Sequence, residues 1–222
     1  MNIVEIIVYQ APDGKEPFIG FLDSIKNFKD RARIMSRLDR VENGNFGDSK
    51  SLGGGLFELR FFFGPGYRVY FGLKGNQLVI LLCGGDKRFS IQRYCISKAL
   101  LEKLYGGISM RKYRAIVIER LKNNPEEAEA YLQAALEDYQ KDQNKEAFLL
   151  ALRTLVEAKG GMDWLSKHTH LNRPQLYRTL SASGNPTLGT LTKVLGTLGF
   201  RLSVEAVNNR TSQDYYQESH PV

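Results

Sequence analysis

The chain changes character once, and that change constrains its fold more than any single motif. Up to about residue 105 it is built from β-branched and aromatic runs such as Leu56–Phe63 (LFELRFFF). Beyond residue 110 it is built from Ala, Leu and Glu at helical spacing, as in Pro125–Tyr139. Between them lies Tyr105-Gly106-Gly107-Ile108-Ser109-Met110-Arg111-Lys112. Gly-Gly breaks either kind of element, and Met followed by Arg-Lys reads like the start of an independent protein. A length of 222 residues accommodates two compact units at roughly 100–200 residues per domain. The expected division is 1–107, a linker at 108–113, a second unit at 114–207 and a polar tail at 208–222. Charge divides there too: residues 1–107 hold 16 Lys+Arg against 11 Asp+Glu, the remainder 15 against 13, so the total of +7 splits into +5 and +2.

A composition with 42% hydrophobic and 25% charged residues belongs to a globular chain and excludes a disordered or collagen-like one. The longest wholly apolar run, Leu78–Cys83, is far short of the roughly 20 residues that cross a bilayer, so no membrane partner is expected. MNIVEIIVY lacks the basic start and apolar centre of a signal peptide. Two cysteines cannot make a disulfide framework, which points to the cytoplasm. A pI near 9.3 points to a polyanionic partner without saying which.

In the first unit, Asn2–Tyr9 reads as a strand and Lys15–Phe28 as a helix, with Phe18, Phe21, Leu22 and Ile25 on one stripe. Arg31–Val41 is a second helix with Ile34, Met35, Leu38 and Val41 inward and Arg33, Arg37 and Arg40 largely outward. Three strands are expected at Leu56–Phe63, Gly66–Leu73 and Gln77–Cys83, the first two joined through Gly64-Pro65-Gly66. A helix at Ile91–Leu104 closes the order βααβββα. The fold class is therefore α+β, a small antiparallel sheet with helices on one face, followed by an all-α unit. Strand parity sends Phe57, Leu59, Phe61 and Phe63 to the core and Glu58 and Arg60 the other way. In the next strand Tyr67, Val69 and Phe71 face the core, leaving Arg68 and Tyr70 outward. A three-residue turn would set Arg60 opposite Tyr70 and Arg68 opposite Phe62. Two arginines on one open face, beside the cationic loop Gly84-Gly85-Asp86-Lys87-Arg88, form a candidate phosphate site; a solvated sheet face is the plainer alternative.

The segments SLGGGLFELRFFFGPGYRVYF and LVILLCGGDK resemble the HigB-like branch of the RelE/ParE toxin superfamily, over most of residues 1–105. The resemblance implies a ribosome-dependent mRNA endonuclease that needs no metal or other cofactor, in which the RNA 2′-OH attacks the adjacent phosphate. Such chemistry calls for cations around a phosphorane. Arg60 and Arg68 are the candidate phosphate clamps, Lys87 the candidate for neutralising charge or protonating the leaving oxygen, and Arg88 and Gln92 candidates for placing the substrate. Lys87–Ala99 runs about two residues longer than in such relatives, and Cys95 stands where they carry an acid. Part of the superfamily acts on DNA gyrase instead.

In the second unit, Asn124-Pro125 followed by Glu126, Glu127 and Glu129 is a helix start, and the helix is expected to reach Tyr139. Lys145–Lys159, Met162–Thr169, Arg173–Leu180 and a helix from Pro186-Thr187 to Gly199 follow, then a strand-like Phe200–Val207. Asn172 and Gln175 have the spacing of a capping box. Two short helices joined by a tight turn make a helix-turn-helix, whose second member would read DNA through its leading residues. Gln175 and Arg178 share one face and suit adenine and guanine respectively, with Asn172 and Arg173 at the leading end. Thr187 and the amides behind it offer a phosphate site, supported by Asn185 and Lys193. A plain helical bundle with a polar face is the alternative. His168 and His170, two apart without a cysteine, do not make a metal site.

MRKYRAIVIERL, NPEEAEAYLQAALEDY and LYRTLSASGNPTLGTLTKVLGTLGFRL resemble the HigA-like addiction-module antidote proteins over roughly 110–207. This implies binding of operator DNA as a dimer and neutralisation of a toxin, with Arg173, Gln175 and Arg178 at the recognition positions. Together the two resemblances describe a toxin–antitoxin fusion. In it Arg114–Lys122 or Pro125–Tyr139 would pack on the toxin half, and Glu126, Glu127, Glu129, Glu137 and Asp138 would either meet its basic face or simply solvate a helix. The alternatives are a DNA-binding regulator with an inactive toxin-like half and a gyrase inhibitor.

Overall fold

A computed structural model describes residues 4–74, 78–89 and 110–204. The first unit contains β1 (Glu5–Tyr9), α1 (Pro17–Ser24), α2 (Phe28–Glu42), β2 (Ser49–Gly53), β3 (Leu56–Arg60), β4 (Tyr67–Lys74) and β5 (Leu78–Asp86). Next come β6 (Met110–Lys112) and the helices α3 (Tyr113–Asn123), α4 (Pro125–Asp142), α5 (Lys145–Lys159), α6 (Gly161–Thr169), α7 (Arg173–Thr179) and α8 (Leu188–Leu198). The helix expected at Ile91–Leu104 and the whole polar tail at 208–222 lie outside the described residues.

The strands form one six-stranded sheet in the order β2-β3-β4-β5-β1-β6. It is mixed rather than antiparallel, because β1 runs parallel to β5, with Ile6 beside Val79 and Val8 beside Leu81. The two helices after β1 carry the chain away from it, so β1 and β5 meet without a hairpin. Two strands escaped the sequence reading. SKSLG in β2 has no apolar alternation, and β6 is only three residues long. Met110–Lys112, expected as linker, instead pairs antiparallel with β1, Val8 opposite Arg111.

Side-chain alternation divides the sheet as parity requires. Ile6, Val8, Leu59, Val69, Phe71 and Leu81 pack under α1 and α2, while Ile7, Tyr9, Leu56, Tyr70, Leu82 and Cys83 form a second apolar cluster on the reverse face. Both Leu82 and Cys83 reach that cluster because the ladder slips by one residue, pairing Tyr70 with Cys83 and Phe71 with Leu81, the signature of a bulge. Gly84, just beyond it, lies against Phe21, whose ring a Cβ would overlap.

Helix ends follow local chemistry. The Asn27, Asn124, Asn144 and Thr187 side chains accept hydrogen bonds from Lys29, Glu127, Ala147 and Thr190 amides at 2.9, 3.2, 3.1 and 3.2 Å. Asn172 precedes α7 in extended conformation but makes no such bond, so the expected capping box does not form. Residues 200–204 form no strand; the Phe200 amide closes onto Leu195 carbonyl, and no neighbouring strand pairs with them. The two halves are not separate globules. One apolar core runs from Val4 and Phe18 through Met35 and Leu38 to Tyr131, Leu152 and Leu198.

Candidate functional site

On the reverse face the two arginines do converge, in a different register. Five residues rather than three separate the last bonded positions of the hairpin, because the Phe61 amide, just beyond β3, still donates to the Tyr67 carbonyl. Arg60 therefore stands opposite Arg68, and Glu58 opposite Tyr70. Each arginine has an acid beside it. Nε and Nη2 of Arg60 donate to Asp48 at 2.8 and 2.5 Å. Arg68 Nε lies 4.0 Å from Glu58, and its Nη1 donates to the Tyr67 carbonyl at 2.9 Å. Tyr70 is not outward in solvent but buried in the reverse cluster; burial, then Glu58, push its hydroxyl up to about 12. Lys87 is exposed and flanks the turn at Gly66. Arg88 folds back on Asp86 with Nη2 at 2.9 Å, which raises its pKa. Gln92 lies outside the described residues.

The opposite face meets the C-terminal helices along a charged seam between α2 and α4. Glu127, almost wholly buried, receives Arg31 at 3.2 Å and Arg120 at 3.1 Å; Arg120 also pairs with Asp23. Arg40 is 8% exposed rather than outward, with Nη1 2.5 Å from Asp142 and Nε 3.7 Å from Asp138. Ser36 donates to Asp138 at 3.0 Å. At the centre, the buried Tyr131 hydroxyl donates to Asp39. Burial pushes the Asp39 carboxyl up to about 8, against the opposing effect of that hydrogen bond. Glu42 is likewise raised by burial while Arg114, 3.5 Å away, pulls it down. Of the five acids singled out in the sequence, Glu127 and Asp138 enter the seam and Glu126 and Glu129 stay exposed. Glu137 accepts from Gln133 on its own helix at 3.1 Å.

At the far end, α6 and α7 are joined through His170–Asn172, with His170 in the left-handed region (φ 55°). Leu176 anchors α7 in the core while Asn172, Arg173, Gln175 and Arg178 are exposed. Arg173 is held toward Asp163 at 2.8 Å. Asn185, Thr187 and Lys193 are also exposed, with Thr187 capping α8. Among the described residues no cluster of His, Cys, Asp and Glu suits a metal ion, and no helix is long and apolar enough to cross a membrane.

The family described as "probable addiction module antidote protein" matches residues 114–206. An uncharacterized protein of Haemophilus influenzae is 45% identical over 87 residues, covering 39% of this chain and 88% of its own. A second uncharacterized protein from the same organism is 31% identical over 78 residues, covering 35% and 79%. Through residues 114–206 the chain belongs to the addiction module antidote family. No solved structure matches it. The antidote segment thus begins one residue into α3, directly after the strand that completes the sheet, and supplies α4 to the seam. Sequence reasoning missed Asp39, Arg31 and Tyr131 there. The available signal was a helix, α2, with charged residues interleaved among its apolar stripe and so unable to face water on every side.

Proposed function

We propose that this chain is a fused toxin–antitoxin protein. Its first 107 residues are a HigB-like endoribonuclease of the RelE/ParE superfamily. The antidote segment is a HigA-like helix-turn-helix unit that restrains that enzyme in cis and binds operator DNA as a homodimer, repressing transcription. The observation carrying this reading is the α2–α4 seam, in which an antidote-family helix answers four charged or polar groups of the first unit: Arg31, Ser36, Asp39 and Arg40. In DNA binding, Gln175 and Arg178 contact base edges, Asn172 and Arg173 lead α7, and Thr187 and Lys193 hold phosphates. In the nuclease, Arg60 and Arg68 clamp the scissile phosphate and Lys87 neutralises developing charge, with Arg88 and Gln92 placing the substrate.

No hydrogen bond or ion pair joins Arg60, Arg68 or Lys87 to the antidote segment among the described residues. Restraint therefore acts from the helix side of the sheet, by denying the toxin half access to messenger RNA on the ribosome. Producing residues 1–107 with and without residues 108–222 as a separate chain tests this. Growth should stop and ribosome-bound mRNA be cut only when the first fragment is alone. A fragment that is folded by circular dichroism yet leaves growth and mRNA intact refutes the nuclease. The pairing of Arg60 with Asp48 and Arg68 with Glu58 favours the second reading in that case, a DNA-binding regulator with an inactive toxin-like half.

A further inference from the structure

Phe61-Phe62-Phe63 displays its middle ring. Phe61 is buried, Phe63 is half-buried, and Phe62 is 76% exposed. Apolar rings of this size normally leave water, and this one stands on a rigid support. The Phe61 amide donates to Tyr67 carbonyl at 3.0 Å, and the Gly66 amide closes the turn onto Phe63 carbonyl at 3.0 Å. Phe63 meets Phe61 and Tyr67 edge-on, each at 5.7 Å, and the Arg33 guanidinium lies 3.9 Å over its ring. Tyr67 hydroxyl donates to Asp30 at 3.0 Å. Gly64, at φ 56°, sits so close to α2 that a Cβ would lie 2.8 Å from Asp30. The turn is thus pinned on both sides of Phe62, which loses little freedom on meeting a ligand.

Its surroundings say what that ligand is. Phe61 lies in the core under α1 and α2 and Phe63 packs against it, so Phe62 between them turns away from that core, toward the side on which Arg60 stands directly across from Arg68. Lys87 flanks the same turn. Arg60 spends Nε and Nη2 on Asp48, and among the described residues its Nη1 makes no hydrogen bond. An exposed, pre-positioned ring beside cations is the combination that takes up single-stranded nucleic acid, the ring stacking on a base and the cations tracking phosphates. We propose that Phe62 is a nucleobase-stacking platform, which holds one base of a single-stranded RNA beside the Arg60–Arg68 phosphate site. This rests on the RNA reading above and names the residue that positions the substrate.

The test uses the full chain, whose antidote helices lie on the other face, and a fluorescein-labelled eight-nucleotide RNA read by anisotropy. Phe62→Ala and Phe62→Leu should each weaken binding by about 5- to 150-fold, the range for loss of one base–aromatic stack. Phe62→Trp should keep the affinity, and in a Trp164→Phe background its emission should be quenched by RNA. Full affinity in Phe62→Leu overturns stacking in favour of mere apolar contact. Unchanged binding in Phe62→Ala, with loss in the Arg60→Gln/Arg68→Gln double variant, overturns the platform and leaves the RNA reading standing. No binding by the unsubstituted chain overturns both. A concentration-dependent dimer that dissolves in Phe62→Ala assigns the ring to a second copy and likewise overturns the proposal.

Discussion

Asp39 makes the seam between the two halves sensitive to pH. Its carboxyl is pushed up to about 8 by burial, whereas the same group in an unfolded chain titrates near ~3.9. As pH rises through about 4 the unfolded state gives up the proton and the folded state keeps it. The folded state is therefore favoured most below that point and loses ground up to about pH 8, where Asp39 ionises in both. The slope in between approaches about 1.4 kcal/mol per pH unit, and the loss from pH 5 to pH 8 is about 3–4 kcal/mol. Asp39→Asn keeps an oxygen for the Tyr131 hydroxyl and cannot ionise. Urea unfolding of the full chain at pH 5, 6, 7 and 8 should show the variant gaining on the unsubstituted protein by that amount. A difference that stays flat from pH 5 to pH 8 would refute the reasoning, because it would mean that Asp39 is already ionised in the folded state.

Glu127→Ala leaves Arg31 and Arg120 facing each other without their shared acid, and should cost about 3–5 kcal/mol in denaturant unfolding, the range for breaking a buried ion pair. Gly84→Ala drives a methyl into the Phe21 ring and should cost about 1–3 kcal/mol by overpacking, read as a lowered Tm. Gly184→Ala meets the Thr179 carbonyl at the end of α7 and should weaken DNA binding, whereas Gly189→Ala, with open space around it, should leave binding intact and stabilise α8 by up to about 1 kcal/mol. Gln175→Ala and Arg178→Ala should each lose about 1–3 kcal/mol of discrimination in a mobility-shift assay on upstream DNA; equal binding to scrambled DNA by the unsubstituted chain would reduce α7 to a nonspecific basic surface.

Elements with strong local signals were legible in the sequence. Lys145–Lys159, bracketed by Asn144 and Gly160, matches α5 residue for residue, because a cap at one end and a left-handed glycine at the other are local facts. The core assignments of Leu59, Val69 and Phe71 follow from parity alone. What depended on distant partners was not legible. β2 exists because β3 offers it an edge, and the parallel pairing of β1 with β5 joins segments about 70 residues apart. Arg40 looked outward because an isolated helix gives a charged residue no other place; α4 supplies the two aspartates that let it be buried. The arginines of the reverse face were found, but their acids were not assigned, since Asp48 precedes a strand that has no period of its own.

The two faces of the sheet are mechanically joined through α2. Toward the antidote segment it presents Arg31, Ser36, Asp39 and Arg40. Toward the turn between β3 and β4 the same helix presents Asp30, which holds Tyr67, and Arg33, which lies over Phe63. Asp30 and Arg31 are adjacent in sequence, so a displacement of α2 that relieves one contact disturbs the other. Docking of α4 fixes α2, fixed α2 holds the turn, and the turn sets where Phe62 stands relative to Arg60. Any influence of the antidote helices on the cationic face has a route that needs no direct contact with it, and Arg33→Ala tests that route separately. It removes the hold on Phe63 and, although Arg33 also lines a small cavity with Ala130, Gln133 and Glu137 of α4, it leaves the partners of Arg31, Ser36, Asp39 and Arg40 in place. It should therefore lower the affinity for single-stranded RNA while leaving the pH slope due to Asp39 unchanged. A changed slope would couple Arg33 to Asp39 across the seam and break the proposed order of dependence.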